Sequence, residues 1–586
     1  MAAAFDSPPH IFQVILQCPP TARKEARMLH NILLIALAGS AIGCTSVDSD
    51  ANSKPGITIT SPNRSAWLAP GDTPVSGHAQ RLRNVTVNGV EAALDGPSNP
   101  GDNFSAKVTL KRGINLIEAR GTEDDGSVHY ARHGVLAGKF GIVEDAVAQG
   151  VHIRLNRGGL QAVMGAAGAL IVEDEVATAV SDMNPIYSGV YEVTEESAIT
   201  FDASVTDLQF DTPILRATPT SHKLIFEADF PNFYVEVFIE GDAFGFSADG
   251  SMTMWASNVL LTGDLLLSAT DGKVKADFTD ATVDLIGFGY DTSLLSDGID
   301  GEFLIDSLRA VLETKVRETM LERVPPMLDE QLAGLATTTS TEILGFPIDI
   351  AAAIETVDVD SDGVFASTAL TVRVGGITAK EYPGVFWIDW AEPSPSRSAD
   401  VGLADSDNLM NRVLFEAWRA GALDQTLSTD DDSLPAATLI PFKATEGTFV
   451  IEALLPPVFL EEDGQLQAQV GEFNIDISTP DGKLGQHLLV SAFVWADASL
   501  VVEDGVMHPV LSEPRITLAV RDSDWGASNE AITEMLTTML QLETLLPLVS
   551  NIDYPLPTFG TLRMDSAAVG RDPNGTHTNA SIEFGP

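Results

Sequence analysis

Few residues in this sequence have the types and spacing that catalysis or metal binding requires. The motifs G-x-S-x-G, H-E-x-x-H and G-x-x-x-x-G-K-[ST], which mark a nucleophile elbow, a zinc protease helix and a phosphate-binding loop, are absent. His129 and His133 are four residues apart in a segment predicted as a strand, where such residues lie about 13 Å apart on one face. We therefore expect that the two histidines do not form a shared site and that the protein is not an enzyme. The alternative is a hydrolase without these motifs, which turnover of generic ester substrates would test.

Three aspartates, Asp358, Asp360 and Asp362, precede Gly363 in the manner of a calcium loop. The twelfth position of that loop would be Ala369 instead of a glutamate, and strands rather than helices are predicted on both sides. The pattern therefore predicts a hairpin turn, and the sequence indicates no metal or other cofactor.

Cysteine is confined to the N-terminal region, at Cys18 and Cys44, so no disulfide is expected within the folded domains. Residues 32–43 form an apolar run that ends in small residues and follows several basic ones. The run is shorter than the roughly 20 residues that span a bilayer, so it predicts a secretory signal peptide. Met28 is an alternative start for this peptide.

The segment Ala41-Ile42-Gly43-Cys44 resembles the bacterial lipobox. The resemblance implies a signal peptide over residues 1–44, with Cys44 lipidated as the anchor; ordinary cleavage nearby with a spare thiol is the alternative. Thr45 replaces the aspartate of an inner-membrane retention signal, which implies an outer-membrane lipoprotein of the bacterial cell envelope, facing the periplasm or exposed at the surface. Residues 45–54 are polar and predict a flexible tether.

The formal net charge of -49 excludes two classes of partner. Nucleic acid binding requires clustered lysine and arginine, and docking on an anionic membrane by charge alone requires the same. The charge indicates a solubilising surface, so we expect the lipid anchor to provide the contact with the membrane.

The longest amphipathic stretch is residues 302–335. An apolar residue recurs at every fourth position, namely Leu304, Leu308, Leu312, Val316, Met320 and Val324. This spacing predicts one apolar face on a long helix, and Pro325-Pro326 is expected to kink or break it. Alternating strands flank the stretch, so we expect a curved antiparallel sheet wrapped on the helix; a plain core helix of an α+β domain is the alternative.

Residues 55–139 read as short strands between turns. Asn88-Gly89 is a strong hairpin signal, and Asp124 to Gly126 marks another turn. The pattern resembles bacterial immunoglobulin-like modules of the glucodextranase type, which implies a small all-β sandwich with a spacer or adhesion role.

Two larger modules are predicted after it, over residues 141–390 and 391–586. Around Pro231 the apolar positions of a long strand change face, which predicts a bulge or bend. Ser406 is a predicted N-cap for a helix that ends in the W-x-x-G segment from Trp418. Each module follows the order helix, meander, helix and strand, which predicts two tubes end to end around a shared sheet.

The segments GVHIRLNRGGL and GFPIDIAAAIETVDV and the order of elements resemble the bactericidal/permeability-increasing protein and lipopolysaccharide-binding protein family, within the tubular lipid-binding (TULIP) superfamily. The resemblance covers residues 141–585 and implies an α+β fold of two tandem TULIP-like modules. This chain lacks the family's disulfide and its cationic tip, so endotoxin binding does not carry over.

From the resemblance and the apolar helix faces we predict a lipid-anchored protein that binds or transfers a phospholipid or other acyl lipid in apolar tunnels. The residues predicted to line them are Leu160, Val163, Met164, Leu304, Leu308, Val311, Leu312, Leu409, Val413, Ile532, Leu536 and Met539. A dry core filled by these side chains is the alternative for each of them. The alternative function is a surface adhesion or glycan-binding lipoprotein that acts through residues 55–139.

Overall fold

The computed structural model describes residues 55–95, 102–194, 197–243, 246–247, 249–293, 301–333, 338–343, 346–375, 380–389, 391–431, 433–503, 506–539, 554–555, 562 and 564–584. The predicted signal peptide, Cys44 and the tether lie outside the described residues. Lys54–Pro586 is one compact unit. It is mostly sheet with few helices and contains two curled sheets, which is compatible with the predicted α+β class. None of the described helices is both long and apolar enough to cross a bilayer.

The first part of the unit is a small β-sandwich. Its strands are β1 (Gly56–Ser61), β2 (Ala66–Leu68), β3 (Gly71–Gln80), β4 (Arg83–Val87), β5 (Val90–Glu91), β6 (Ala93–Asp95), β7 (Asp102–Leu110), β8 (Gly113–Thr122) and β9 (Val128–Ala137). They form two sheets, ordered β1-β3-β7-β6 and β2-β9-β8-β4-β5, around a core that contains Val75, Phe104 and Ile117. The predicted hairpin at Asn88-Gly89 is confirmed, because both residues have positive φ and join β4 to β5. The immunoglobulin-like assignment of this sandwich stays a prediction.

The next part contains a curled sheet, three helices and the strands that follow them. Its elements are β10 (Lys139–Gly141), β11 (Val147–Asn156), α1 (Arg157–Gly168), α2 (Glu173–Ser181), β12 (Tyr187–Thr194), β13 (Ser197–Gln209), β14 (Ile214–Thr220), β15 (Lys223–Ala243), β16 (Phe246–Ser247), β17 (Gly250–Thr270), β18 (Lys273–Ile286), β19 (Gly289–Thr292), α3 (Gly301–Leu332), β20 (Thr338–Ile343), β21 (Phe346–Val359), β22 (Gly363–Val374) and β23 (Val385–Trp387).

The curled sheet of this part has the order β12-β13-β15-β17-β18. The predicted bend in β15 is confirmed: Asn232 has a positive φ of 53°, and the buried positions change from Phe230 to Phe233 across it. In β17 the buried positions change parity in step, from Ala256 to Val259. Both long strands therefore turn together and keep their apolar side chains on the inner face of the curve.

Helix α3 runs for 32 residues and packs against β18. Its buried positions among the described side chains are Ile305, Leu308, Leu312, Val316, Thr319, Met320, Val324, Leu328 and Leu332. Pro325 and Pro326 lie inside the helix, which continues to Leu332. Of the expected kink or break, the break is therefore wrong, and the kink stays a prediction. We attribute the continuation of the helix to packing, since the buried apolar side chains before and after the prolines hold both segments against the core and offset the missing backbone bonds.

The last part of the unit repeats the order of helix, strands, helix and strand. Its elements are β24 (Val401–Ser406), α4 (Asp407–Ala420), β25 (Gln425–Ser428), a short 3-10 helix (Ala436–Phe442), β26 (Thr448–Ala453), β27 (Val458–Glu462), β28 (Gln465–Ser478), β29 (His487–Glu503), β30 (Val506–Leu511), β31 (Arg515–Ser523), α5 (Asn529–Met539), β32 (Tyr554–Pro555), β33 (Met564–Arg571) and β34 (His577–Phe584). The second curled sheet has the order β25-β26-β28-β29-β30-β32, with β31 paired to β29. The predicted N-cap is confirmed, because the Ser406 side chain accepts a hydrogen bond from Asn408 N, and Gly421 ends the helix with a φ of 82°.

A seven-stranded sheet joins the two larger parts, in the order β20-β21-β22-β11-β24-β34-β33. Strands β11 and β24, which open the two repeats, pair directly in the antiparallel sense, with Ile153 opposite Leu403. The expected shared sheet is therefore present. The division of the chain into separate modules stays a prediction.

Helix α4 lies between two apolar cores. The first core is the cluster that contains Leu308, Leu312, Leu409 and Val413. The second core is the cluster that contains Phe415, Trp418, Phe473, Ile475 and Leu518. Both cores receive side chains from α4, so the helix is apolar toward two sides.

The sandwich is docked on the second curled sheet through a buried carboxylate, Glu472, whose side chain is 0% exposed. Its oxygens lie 2.9 Å from Arg64 Nη2 of the sandwich and 2.8 Å from Arg521 Nη2 of β31. Gly134 N of β9 also donates a hydrogen bond, of 2.5 Å, to Glu472 Oε1. Beside this cluster, Ile114 N donates to Gln469 Oε1 over 2.7 Å.

Replacing this carboxylate tests how firmly the sandwich is docked. We expect Glu472→Gln to lower the free energy of unfolding by about 3–5 kcal/mol, because it leaves two arginines without their buried counter-charge. Chemical denaturation at neutral pH measures the change. In the control Glu313→Gln, which removes an exposed helix ion pair with Arg309, the loss should stay within about 1 kcal/mol. Equal effects of the two variants would contradict the docking role of Glu472.

Candidate functional site

A wholly apolar pocket lies where α1, the C-terminal end of α3, the curled sheet and the central sheet meet. It is lined by Ile153, Leu155, Leu160, Met164, Leu224, Leu265, Leu267, Val274, Leu328, Leu332, Val364 and Ala366. Its cavity volume is about 20 Å³, which is close to the space of a single water molecule. The pocket is therefore closed in this conformation, and nothing in its lining offers a hydrogen-bonding side chain.

Two of the predicted tunnel residues, Leu160 and Met164, line this pocket. Val163 is buried one turn away in the same core, and Leu308 and Leu312 are buried further along α3. Val311 is partly buried against that core. Leu304 lies within α3, but its side chain lies outside what the structure describes.

The predicted residues of the second tunnel are divided between the two cores. Leu409 and Val413 pack in the first core, with the residues of α1 and α3, whereas Ile532 and Leu536 pack in the second core. Met539 ends α5, and its side chain lies outside what the structure describes. The structure therefore does not bring these residues to one place, because α4 turns Leu409 and Val413 away from the core that α5 covers.

The contact between α3 and the first curled sheet is mainly apolar. Asp329 Oδ1 accepts a hydrogen bond of 2.8 Å from Ala276 N of β18. Near the other end, the Arg309 guanidinium lies 5.2 Å from the centre of the Phe288 ring. Apolar contacts are not directional. Another apolar surface can therefore replace the contacts that hold such a helix, with little loss of specific hydrogen bonds.

Sequence reasoning missed Asp405, a carboxyl group that is 2% exposed in the central sheet. It lies on the same face of β24 as Val401 and Leu403, which belong to the first core, and it pairs with Val151 and Thr578 on the neighbouring strands. Neither of its oxygens has a hydrogen-bond partner among the described residues. Burial raises the pKa of Asp405 to about 8, so the group is neutral at pH 7. The sequence did contain a signal for this burial, because Asp405 continues the every-second-residue spacing of the apolar residues Val401 and Leu403.

Two histidines lie on strands next to Asp405. The ring centres of His152 and His577 are 5.9 Å apart, and the ring of His152 stacks on Phe365 at 5.5 Å. Burial, with a further effect of His577, lowers the pKa of His152 to about 4, and burial also lowers the pKa of His577. Both side chains are therefore neutral at physiological pH.

The aspartate turn that was considered as a calcium loop is a hairpin turn, as predicted. Asp360 N donates to Gly363 O, and Asp360 Oδ1 accepts from the backbone of Asp362 and from Arg154 Nη2 at 2.6 Å. His129 lies 2.6 Å from Glu123, and His133 contacts Pro62 O. No group of three or more metal-ligating side chains occurs in the part of the chain that the structure describes.

Comparison with known proteins gives a likeness to solved structures. No protein-family model matches the sequence, and no curated protein matches it. The crystal structure of a lipopolysaccharide-binding protein is similar to this chain at 13% sequence identity and a TM-score of 0.44, over 74% of this chain and 99% of that one.

The neutral state of Asp405 can be tested by the pH dependence of stability. The folded state keeps a proton that the unfolded state loses near pH 3.8, so the free energy of unfolding should fall as the pH rises toward 8. The slope from this group is about 1.4 kcal/mol per pH unit. We expect Asp405→Val to lose this contribution to the slope between pH 6.5 and 7.5, while the histidines contribute equally to the slope of both proteins. Denaturation at several pH values measures it.

Asp72→Asn is the matched control, since Asp72 is exposed and its pKa is lowered by Lys107. Its slope in the same pH window should equal that of the unchanged protein. A variant Asp405→Val with an unchanged slope would mean that Asp405 is ionised in the folded state.

Proposed function

We propose that the protein is a non-enzymatic lipid-binding protein that takes an acyl chain between α3 and the inner faces of the first curled sheet and the central sheet. The observation that carries the proposal is the wholly apolar pocket at the end of α3. The buried face of the helix extends this apolar surface away from the pocket through Val324 and Met320.

The closed pocket has to open before it holds a chain. Each CH₂ group that leaves water contributes about 0.8 kcal/mol, so an acyl chain of roughly sixteen carbons gains on the order of 10 kcal/mol before entropy losses. An acyl chain that slides under α3 replaces the apolar contacts of the helix with its own. Pro325 and Pro326 lie beside the pocket residue Leu328 and remove backbone hydrogen bonds there, which makes this part of the helix the easiest to bend.

The remaining parts of the proposal rest on the sequence. Lipidated Cys44 would anchor the protein to the outer membrane, and the tether of residues 45–54 would let the folded unit reach lipids. The charge of -49 favours entry driven by the acyl chain over capture by an anionic surface. The glycan-binding alternative stays a prediction that a glycan array with the whole chain tests.

The proposal is tested by the lipid that the protein carries. We expect organic extracts of the purified protein to contain an acyl lipid by mass spectrometry, and the protein to take up a fluorescent phospholipid. Ala366→Phe fills the pocket from β22 and should lower uptake by about ten-fold or more, at a stability cost of about 1–3 kcal/mol. Leu160→Ala enlarges the same pocket and should preserve or increase uptake, at a cost of about 2–5 kcal/mol.

Ala492→Phe is the matched control, because Ala492 is equally buried but packs in the second core. It should leave uptake unchanged if the variant is folded by circular dichroism. Absence of any co-purified lipid together with no uptake, or equal uptake by the Ala366→Phe and unchanged proteins, would overturn the proposal.

A further inference from the structure

A second cavity, of about 610 Å³, lies between the sandwich, β31 and α5. Its volume falls in the range of about 300–1,000 Å³ that is usual for small-molecule sites. It is lined by Ile57, Thr58, Ile59, Arg64, Tyr130, Ala131, Arg132, His133, Ala519, Val520, Arg521, Asn529, Glu530, Thr533 and Glu534. We call it the interdomain cleft. It shares no lining residue with the apolar pocket.

One wall of the interdomain cleft carries three arginines, Arg64, Arg132 and Arg521. The chain has 34 basic residues against 83 acidic ones, so this convergence is unusual for its surface. Arg521 donates hydrogen bonds to Ser491 and Glu472, which hold its guanidinium in place in the lining of the cleft. Burial, with a further effect of the two neighbouring arginines, lowers the pKa of Arg521 to about 10, so this guanidinium remains charged at pH 7.

The arginines keep hydrogen-bond donors for a ligand. Arg64 uses Nε and Nη2 on Glu472, Asn474 and Ser491, and among the described residues its Nη1 has no partner. Arg132 binds Glu118 and donates from Nη1 to Leu518 O, which occupies three of the five N–H groups that a guanidinium carries. Planar guanidinium groups with spare donors are suited to phosphate oxygens.

Two glutamates of α5 also line the cavity. Glu530 and Glu534 are four residues apart on the helix, so their side chains lie on the same face of it. Within the described residues there is no ion pair between Glu530 and the three arginines. The lining of the cleft therefore combines basic and acidic side chains.

We propose that the interdomain cleft binds a small zwitterion with a phosphate and a primary ammonium group, the phosphate on Arg64 and Arg132 and the ammonium on Glu530 and Glu534. This chemistry occurs in soluble phosphoethanolamine compounds and in the headgroup of ethanolamine phospholipids. The cleft takes the headgroup alone, so the inference does not depend on acyl chain binding in the apolar pocket.

Isothermal titration calorimetry of the whole chain tests the proposal. Glycerophosphoethanolamine should bind, and glycerophosphoglycerol, a phosphodiester without the ammonium, and ethanolamine should each bind at least about ten-fold more weakly, because each lacks one charged group. The double variant Glu530→Gln/Glu534→Gln should lose about ten-fold in affinity for glycerophosphoethanolamine and keep its affinity for glycerophosphoglycerol. Arg132→Gln should weaken both phosphates.

Glu318→Gln/Glu322→Gln on α3 is the matched control, since it removes the same charge from an exposed pair at the same spacing; its affinity should be unchanged. No heat of binding for glycerophosphoethanolamine, or equal affinity for glycerophosphoglycerol, would overturn the zwitterion site. Flotation with vesicles with and without phosphatidylethanolamine separates the two sources: vesicle binding that glycerophosphoethanolamine displaces supports the lipid headgroup, and soluble binding alone supports the free compound.

Discussion

The whole unit depends on one constraint, which is that helix α4 has to be compatible with two apolar cores at once. Every residue of the helix except Arg419 is buried. Its charged groups are paired: the fully buried Glu416 lies 3.1 Å from Arg412 and 2.5 Å from Arg419 within the helix, and Asp407 lies 2.7 Å from Arg571 of β33. Removing one partner of such a group leaves a buried charge, which is far more costly than losing an exposed pair. The position of α4 thus links the first core to the second.

The central sheet transmits this constraint to the apolar pocket. Strand β11 contributes Ile153 and Leu155 to the pocket, and its residues 151–155 pair with β24, which leads directly into α4. A chain that enters under α3 and displaces β11 would therefore also strain β24. Asp405 lies on β24 between these elements, in a position where an ionised group would have no partner among the described residues. The first core is thus apolar and also electrically neutral near pH 7.

Local patterns in the sequence predicted local structure well. The hairpin at Asn88-Gly89 and the cap at Ser406 depend on neighbouring residues only, since positive φ and a side-chain acceptor are set within a few positions of the chain. The bend in β15 was visible because the pattern of burial changes within one strand. Helix α3 shows the limit of such reasoning, because Pro325 and Pro326 were judged without the tertiary packing that carries the helix past them.

Long-range pairing could not be predicted from the sequence. Leu409 and Ile532 both lie on apolar helix faces, and nothing in their spacing shows that they belong to different cores. Glu472 and Arg64 are 408 positions apart, and in a chain with 83 acidic residues no single carboxylate stands out. The interdomain cleft was missed for the same reason, since its arginines come from separate segments.

The docking of the sandwich also changes what kind of surface its strands present. A Cβ atom on Gly134 of β9 would lie 2.6 Å from Phe493, and one on Gly471 of β28 would lie 2.5 Å from Ile114, both shorter than van der Waals contact. Each glycine lies on the outside of its own sheet, yet neither has room for a methyl group. Sequence variation at these two positions should accordingly be as restricted as in a hydrophobic interior, and the sandwich could not be exchanged for another of the same fold without reshaping the face that receives it.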